Sequence, residues 1–494
     1  MALPSLKEFN KKAEEQPLIG LLVYSVLNFI RPVIQIFLIP LYLSLFTESE
    51  YGIYDLMFIT GSLLMVVLTF RINAAMLTVY YDYIDDRQQL KRYLRSLFST
   101  SIIIALTLFT LLNFFGEALF DLMFKSEEIK YFPYGILVVG YAMLGEINAC
   151  YMIYLRNEKD LVRYFIVILS QILGAILFQV LFIVVFKMGV VGALIGYLIA
   201  NAVTFILILF MERGIITLDI DKVMIKKSLK FSLALIPFLL IYWVLTKGGK
   251  IVLERYADLS TVAVYALLVT VGSVIILLVE AVINGVRPFL FEIFARAKGS
   301  EAREKIDILT RMIINLPLFA IPVIVLLGNN IGILTSKTTY HEVAIYTTSI
   351  ALATYMLVYG KMFYQQLLFL KRSDTVTLLS FIVVVFLVSG LYYFVPIYKI
   401  WGVLFVTFLA NALMAILFYV AAQRQLPIRY PLKEIYFFPF LVFVILFLLE
   451  YLLVYNMEVS RSAFGIVQFF VLSLLALGLN WKSMLMYKAV FLKK

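Results

Sequence analysis

An all-α polytopic membrane protein, built from two six-helix repeats followed by two more helices, is the fold that the sequence predicts, and three observations predict it. The composition is the first: of 494 residues, 63% are hydrophobic, 16% aromatic and only 15% charged, which is not a soluble balance. Second, apolar runs of the ~20 residues needed to cross a hydrocarbon core recur along the whole chain between short loops, giving about 14 transmembrane helices. The third is an internal repeat. Tyr51 to Met76 (YGIYDLMFITGSLLMVVLTFRINAAM) is echoed by Val262 to Arg287 (VAVYALLVTVGSVIILLVEAVINGVR) at an offset of 211, which keeps Gly61/Gly272, Ser62/Ser273 and Asn73/Asn284. Gly192 to Ala202 is echoed by Gly402 to Ala412 at an offset of 210. Two separate segments thus agree on a duplication.

The first residues carry Lys7, Lys11 and Lys12 and read as a cytoplasmic lead-in; no signal-peptidase pattern follows, so the first span is expected to stay in the mature protein. Span 1 covers about 20–46, and span 2 is the repeated stretch, continued to about 80. After a basic loop, span 3 covers about 97–115, and the acidic loop behind it, poor in Lys and Arg, is placed outside. Span 4 (about 132–155) ends on basic RNEKDLVR, and spans 5 and 6 (about 164–186 and 190–211) meet at the turn Lys187-Met188-Gly189. The repeat offset carries span 7 from about 231 to 257, through Lys247-Gly248-Gly249-Lys250, whereas hydropathy alone leaves these lysines in an outer loop. Span 8 is the echo, spans 9 to 12 lie at about 308–327, 342–370, 376–395 and 400–422, and two unrepeated spans follow at about 435–455 and 463–479. The expected organisation is an N-terminal lobe over 1–221, a second lobe over 222–422, and two additional helices in 423–494.

Most of the 42 Lys and Arg residues fall in the loops that this topology assigns to the cytoplasm, which places both termini inside. The net charge of +11 is therefore an orientation signal, and no soluble domain is left to hold nucleic acid. With one cysteine (Cys150) and one histidine (His341), intrachain disulfides and thiolate metal sites are excluded and a His-dependent catalytic triad is disfavoured. No phosphate loop or metal motif is present, so neither a cofactor nor an enzyme activity is expected. Because each repeat has an even number of spans, both copies enter the membrane in one orientation. Such halves are related by an axis along the membrane normal and rock about a site between them, which is a transporter's architecture.

Polar residues in the spans fall on helical faces. Asn28, Arg31 and Gln35 form a stripe on span 1, and Lys247, Lys250 and Glu254 repeat that spacing on span 7. Span 2 carries Asp55, Ser62, Thr69 and Asn73; span 8 carries Ser273, Glu280, Asn284 and Arg287. A cation as deep as Arg31 costs about 2.5–3.5 kcal/mol on insertion scales and should face protein or water. One reading has Arg31 paired with Asp55 or Glu146 as a register pin; for Arg71, Arg287 and Lys361, near the cytoplasmic ends, snorkelling to the headgroups is the leading alternative. As a set, Arg31, Arg71, Lys247, Lys250, Arg287 and Lys361 outnumber the acids Asp55, Glu146 and Glu280, which suggests an anionic passenger. Glu146, with Asp55 and Glu280, is the candidate proton or sodium site.

With SEYGIYDL opening span 2, YLRNEKDLVRY closing span 4, GVVGALIGYLIAN opening span 6 and RPFLFE ending span 8, the chain resembles the O-antigen or capsular polysaccharide repeat-unit flippases of the multidrug/oligosaccharidyl-lipid/polysaccharide exporter superfamily. The resemblance implies a V-shaped exporter-type bundle in the bacterial cytoplasmic (inner) membrane. It implies the movement of undecaprenyl-diphosphate-linked glycans from inner to outer leaflet by alternating access, among membrane lipids and alongside polysaccharide polymerase and glycosyltransferases of lipopolysaccharide or capsule synthesis. Where the family often has an acidic-basic pair late in span 7, this chain has Gly249-Lys250, so Lys250 alone inherits that role. A lipid II flippase, a cation-coupled drug exporter, a membrane scaffold and a membrane glycosyltransferase are the competing readings; the cation surplus disfavours the drug exporter, and no glycosyltransferase site is visible.

Overall fold

The computed structural model describes residues 38–77, 79–217, 219–296, 320–331, 337–428, 437–456 and 460–491, with 310, 318 and 430. Among the described residues every regular element is helical: α1 Glu48–Val67, α2 Arg87–Met123, α3 Ile136–Asn157, α4 Leu161–Val180, α5 Gly189–Met211, α6 Lys222–Tyr256, α7 Leu259–Arg296, α8 Ala320–Asn330, α9 Val343–Phe369, α10 Ser373–Gln425, α11 Phe438–Glu450 and α12 Arg461–Phe491. Two compact units divide within α6, between Trp243 and Val244. The helix itself is unbroken through Lys247–Lys250, as the repeat offset predicts and hydropathy alone does not.

In the first unit α3 is the hub, packed against α1, α2, α4 and α5; in the second, α9 packs against α7, α8, α10 and α11. Small residues make this closeness possible in α3, where Gly140, Ala142 and Gly145 lie along the helix. By contrast α2 leaves Ile103, Leu106, Leu111, Phe114 and Phe115 exposed, an apolar face suited to lipid.

Local hydrogen bonding repeats the duplication. Thr47 starts α1 with a capping box: its hydroxyl accepts from Glu50 N at 3.2 Å while the Glu50 carboxylate accepts from Thr47 N at 2.8 Å. Asp258, at the offset of 211, starts α7, its carboxylate accepting from Thr261 N at 2.8 Å. The Thr261 hydroxyl and N–H hold the Asp258 carboxyl below its usual range. Inside the two helices, Ser62 Oγ donates to Ile59 O and Ser273 Oγ to Thr270 O, both at 2.6 Å. The hub helices end alike as well. Asp160 N donates to Leu155 O at 2.9 Å across left-handed Lys159, and Arg372 N donates to Leu367 O at 3.0 Å across left-handed Lys371. These are Schellman-type ends with lysine where glycine is usual. Lys371→Gly is therefore expected to raise stability by about 0.5–1 kcal/mol, read as a higher melting midpoint in detergent.

The two hairpins that follow the hubs also match. Lys187 and Lys399 are left-handed, and Lys399 divides α10 into two limbs. Here glycine is required for proximity: a Cβ on Gly402 would lie 2.7 Å from Phe394 O, and one on Gly192 would lie 3.0 Å from Phe182 O. Backbone cannot yield as a side chain can. Gly402→Val should lower stability by about 1–3 kcal/mol in the same measurement.

The structure differs from the predicted span 2 in one place. The sequence reading runs this span on to about residue 80, but α1 stops at Val67, Phe70 and Arg71 adopt left-handed φ of 49° each, and a tighter 3-10 segment, Ile72–Leu77, follows. Its echo α7 has no such break. Periodicity could not report this, because the residues on either side of the break are equally apolar.

Candidate functional site

The break in α1 places two polar side chains against the hub. Arg71 Nη1 donates to Glu146 Oε1 at 2.8 Å, and Asn73 Nδ2 donates to Glu146 Oε2 at 2.8 Å. Both oxygens of this carboxylate, 4% exposed, are thereby engaged, while Arg71 remains 33% exposed. Asn157 Nδ2, at the end of α3, holds the 3-10 segment through Met76 O at 2.9 Å. Arg71 Nε, Asn73 Oδ1 and Asn148 Oδ1 are buried without a hydrogen-bond partner. A cavity of about 240 Å³ opens beside the group, lined by Glu146, Gln171, Asn201, Arg156 and Tyr164 among apolar neighbours. Its lining amides are tied together, Gln171 Nε2 donating to Asn201 Oδ1 at 3.4 Å, and Asn148 Nδ2, behind the lining, donates to Asn201 O at 2.9 Å.

The second unit joins the corresponding helices with the charges exchanged. Glu280 of α7 pairs with Lys361 of the hub α9, and one turn or two further along Arg287 Nε donates to Gln365 Oε1 at 2.9 Å. Exposure is exchanged too, for here the acid is 43% exposed and the cation 13%. The first unit therefore turns a guanidinium outward from its pair, and the second a carboxylate. Where the sequence left snorkelling to the headgroups as the leading alternative, Arg71 and Arg287 each find an acceptor on the neighbouring hub helix, and Lys361, on the hub itself, finds one on α7. Arg71 and Asn73 each engage one oxygen of the Glu146 carboxylate; Arg31, which the sequence offered as its partner, lies outside the described residues.

On α6, Lys250 and Glu254 are buried one turn apart, at 4% and 3% exposure. Lys247 and Asp55 are half-buried, and none of these four lacks a partner. Asn28, Arg31 and Gln35 lie outside the described residues, as does the side chain of Asn284. Sequence reasoning left one buried acid unnoticed, Glu450, and did not weigh Glu254 as one. Adding both to Asp55, Glu146 and Glu280 nearly balances the six candidate cations, so the surplus read from the sequence shrinks to one. An acid inside an unrepeated apolar run was the signal for Glu450. Among the described residues no group of acids, His and Cys is arranged to hold a metal ion.

No protein-family model matches the chain, and comparison with curated proteins gives no match. Solved structures do match in fold. The lipid II flippase MurJ in an inward closed conformation aligns with a TM-score of 0.63 at 16% identity, over 94% of this chain and 100% of that one. An inward-facing multidrug resistance MATE family transporter of the MOP superfamily aligns at 0.60 and 16%, over 81% and 98%; an outward-facing one aligns at 0.54 and 18%, over 83% and 93%. Nine described helices are long and apolar enough to cross a membrane. The chain is a multi-pass membrane protein with the all-helical fold of these MOP-superfamily transporters.

Proposed function

We propose that the protein is a flippase that turns undecaprenyl-diphosphate-linked oligosaccharide repeat units from the inner to the outer leaflet of a bacterial cytoplasmic membrane by alternating access. The observation that carries this reading is how far the likeness to the lipid II flippase runs. Aligning 94% of the chain leaves out about 30 of 494 residues, fewer than α11 and α12 span between 438 and 491. The likeness thus enters the unrepeated helices, and it covers more of the chain than the 81–83% of the drug-transporter alignments. A lipid tail that stays in the bilayer during transfer gives such extra helices a use. Buried Lys250, with Arg31 from the sequence, supplies cations for a diphosphate. Lipid II, which bears the same diphosphate, is the second reading and rests on the same alignment.

The test is transfer of fluorescent lipid-diphosphate saccharides in vesicles holding the purified protein, run beside lipid II and a lipophilic cationic dye. Preferential movement of the repeat-unit lipid supports the proposal; movement of the dye alone removes it. In this reading Glu146, with Asp55 and Glu280, is the coupling group, and both termini are cytoplasmic. Imposing a proton or sodium gradient should accelerate transfer in wild type and not in Glu146→Gln. A rate indifferent to both gradients returns Glu146 to a structural part.

A further inference from the structure

We infer that the first turns of α6 form a binding surface for acidic phospholipid headgroups, made by Lys222, Lys226 and Lys230. These lysines recur at every fourth residue and so share one helix face over about 12 Å. All three are exposed, and among the described residues no acceptor pairs with their ammonium groups. Lys227, on a different face, is the contrast, since its ammonium pairs with Asp82 at 2.9 Å. The opposite face fixes the helix in place. Met224 and Ile225 belong to the core of the first unit with Tyr93 and Leu97, and Ser228 Oγ lies 3.1 Å from Tyr93 Oη. The Asp221 carboxylate caps the helix, accepting from Val223 N at 3.0 Å and Met224 N at 3.1 Å. The lysine row therefore points away from the core.

Charge and depth together name the occupant. Like charges four residues apart on a helix repel one another, and Lys222 and Lys226 also stand in the first two turns, at the positive end of the helix dipole. The capping carboxylate of Asp221 offsets this only in part, because Arg92 Nε also approaches it at 3.5 Å. An anion brought to the row relieves the repulsion that remains. With 35 residues, α6 is about 52 Å long against about 30 Å of hydrocarbon, and the 16 residues from 231 to 246 carry no charge. That pattern puts the row at the level of the headgroups. On the same face the lysines give way to Leu233, Ala234 and Pro237, all exposed, so a phosphate held by the row leaves its acyl chain against apolar surface. Three separate ammonium groups on an open helix face attract by charge and enclose no single headgroup. The abundant acidic lipid of the bilayer is thus favoured over the diphosphate cargo.

The experiment is equilibrium binding of a fluorescent phosphatidylglycerol to the full-length purified protein in neutral detergent, with unlabelled lipids as competitors. Phosphatidylglycerol should compete and phosphatidylcholine should not. Lys222→Gln, Lys226→Gln and Lys230→Gln should each weaken binding about fivefold, and the triple variant about a hundredfold; the single variants carry the test if the triple does not fold. Added salt should weaken binding to wild type more than to the triple variant. Lys130→Gln/Lys187→Gln, which removes two exposed lysines from loops at the other end of the first unit, should bind as wild type does. Equal competition by phosphatidylcholine, or binding by the lysine-row variants within about twofold of wild type, overturns the inference. So does competition by undecaprenyl diphosphate that exceeds phosphatidylglycerol's and is lost in the triple variant, since the row would then belong to the cargo. Each of these results is read from binding alone, so it stands whether or not the protein transfers a saccharide lipid.

Discussion

Arg71→Leu is expected to destabilise the protein by about 3–5 kcal/mol, and Lys361→Leu by no more than about 1, although both remove the cation of a matching ion pair. The asymmetry follows from which partner is left behind. Without Arg71, the Glu146 carboxylate stays at 4% exposure with Asn73 as its remaining donor, and a buried charge without its counter-charge is the costly case. Without Lys361, Glu280 is 43% exposed and can be hydrated where it stands. Exchanging the deletions reverses the order: Glu280→Leu strands Lys361 at 13% exposure and should exceed Lys361→Leu, while Glu146→Leu strands the one-third-exposed Arg71 and should fall below Arg71→Leu. The double variant Arg71→Leu/Glu146→Leu should recover most of the single loss, because no charge is then left buried. Melting midpoints and urea titrations of the purified variants give the comparison. Equal losses from all four single changes would mean that exposure does not govern these pairs.

This exchange of polarity was partly legible in the sequence. The repeat located the helices: Asn73 and Glu280 sit on the segments that define the offset of 211, and Ser62 and Ser273 make the same bond in both. Apolar length located the spans, and the matching offset carried α6 through Lys247–Lys250. Pairing was not legible, because it depends on what the hub helices present across the interface. A one-dimensional stripe of polar residues does not say which neighbour faces it. The break at Phe70 and Arg71 was equally silent, since left-handed backbone at bulky residues is imposed by tertiary contacts and has no composition of its own. Glu450 shows a third limit. Counting charges against an expected passenger drew attention to the cations, and an acid outside the repeat went unweighed.

The other large effect concerns the cargo. Lys250→Met and Arg31→Ala are each expected to weaken binding of a diphosphate-linked lipid saccharide roughly ten- to a hundredfold, since a hydrogen bond to a charged group contributes about 1.5–3 kcal/mol net. Lys250 is the cation for which burial is directly seen, at 4% exposure on a helix unbroken on either side of it. It already has a partner in the protein, so the effect is the difference between that contact and a phosphate's. A diphosphate carries more charge and more acceptor oxygens than any single side chain, which favours the exchange. Lys250→Arg should keep most of the affinity, whereas Arg31→Lys should recover only part of what Arg31→Ala loses, because a point charge lacks the two-pronged geometry of guanidinium. Cargo bearing a monophosphate should bind wild type more weakly and be less sensitive to both neutral variants. The measurement is equilibrium binding of fluorescent mono- and diphosphate lipids to purified protein, followed by leaflet-to-leaflet transfer in vesicles, with each variant first shown to melt like wild type. If both neutral variants fold, bind and transfer the diphosphate at wild-type levels, then these cations hold helices in place and the phosphate is recognised elsewhere.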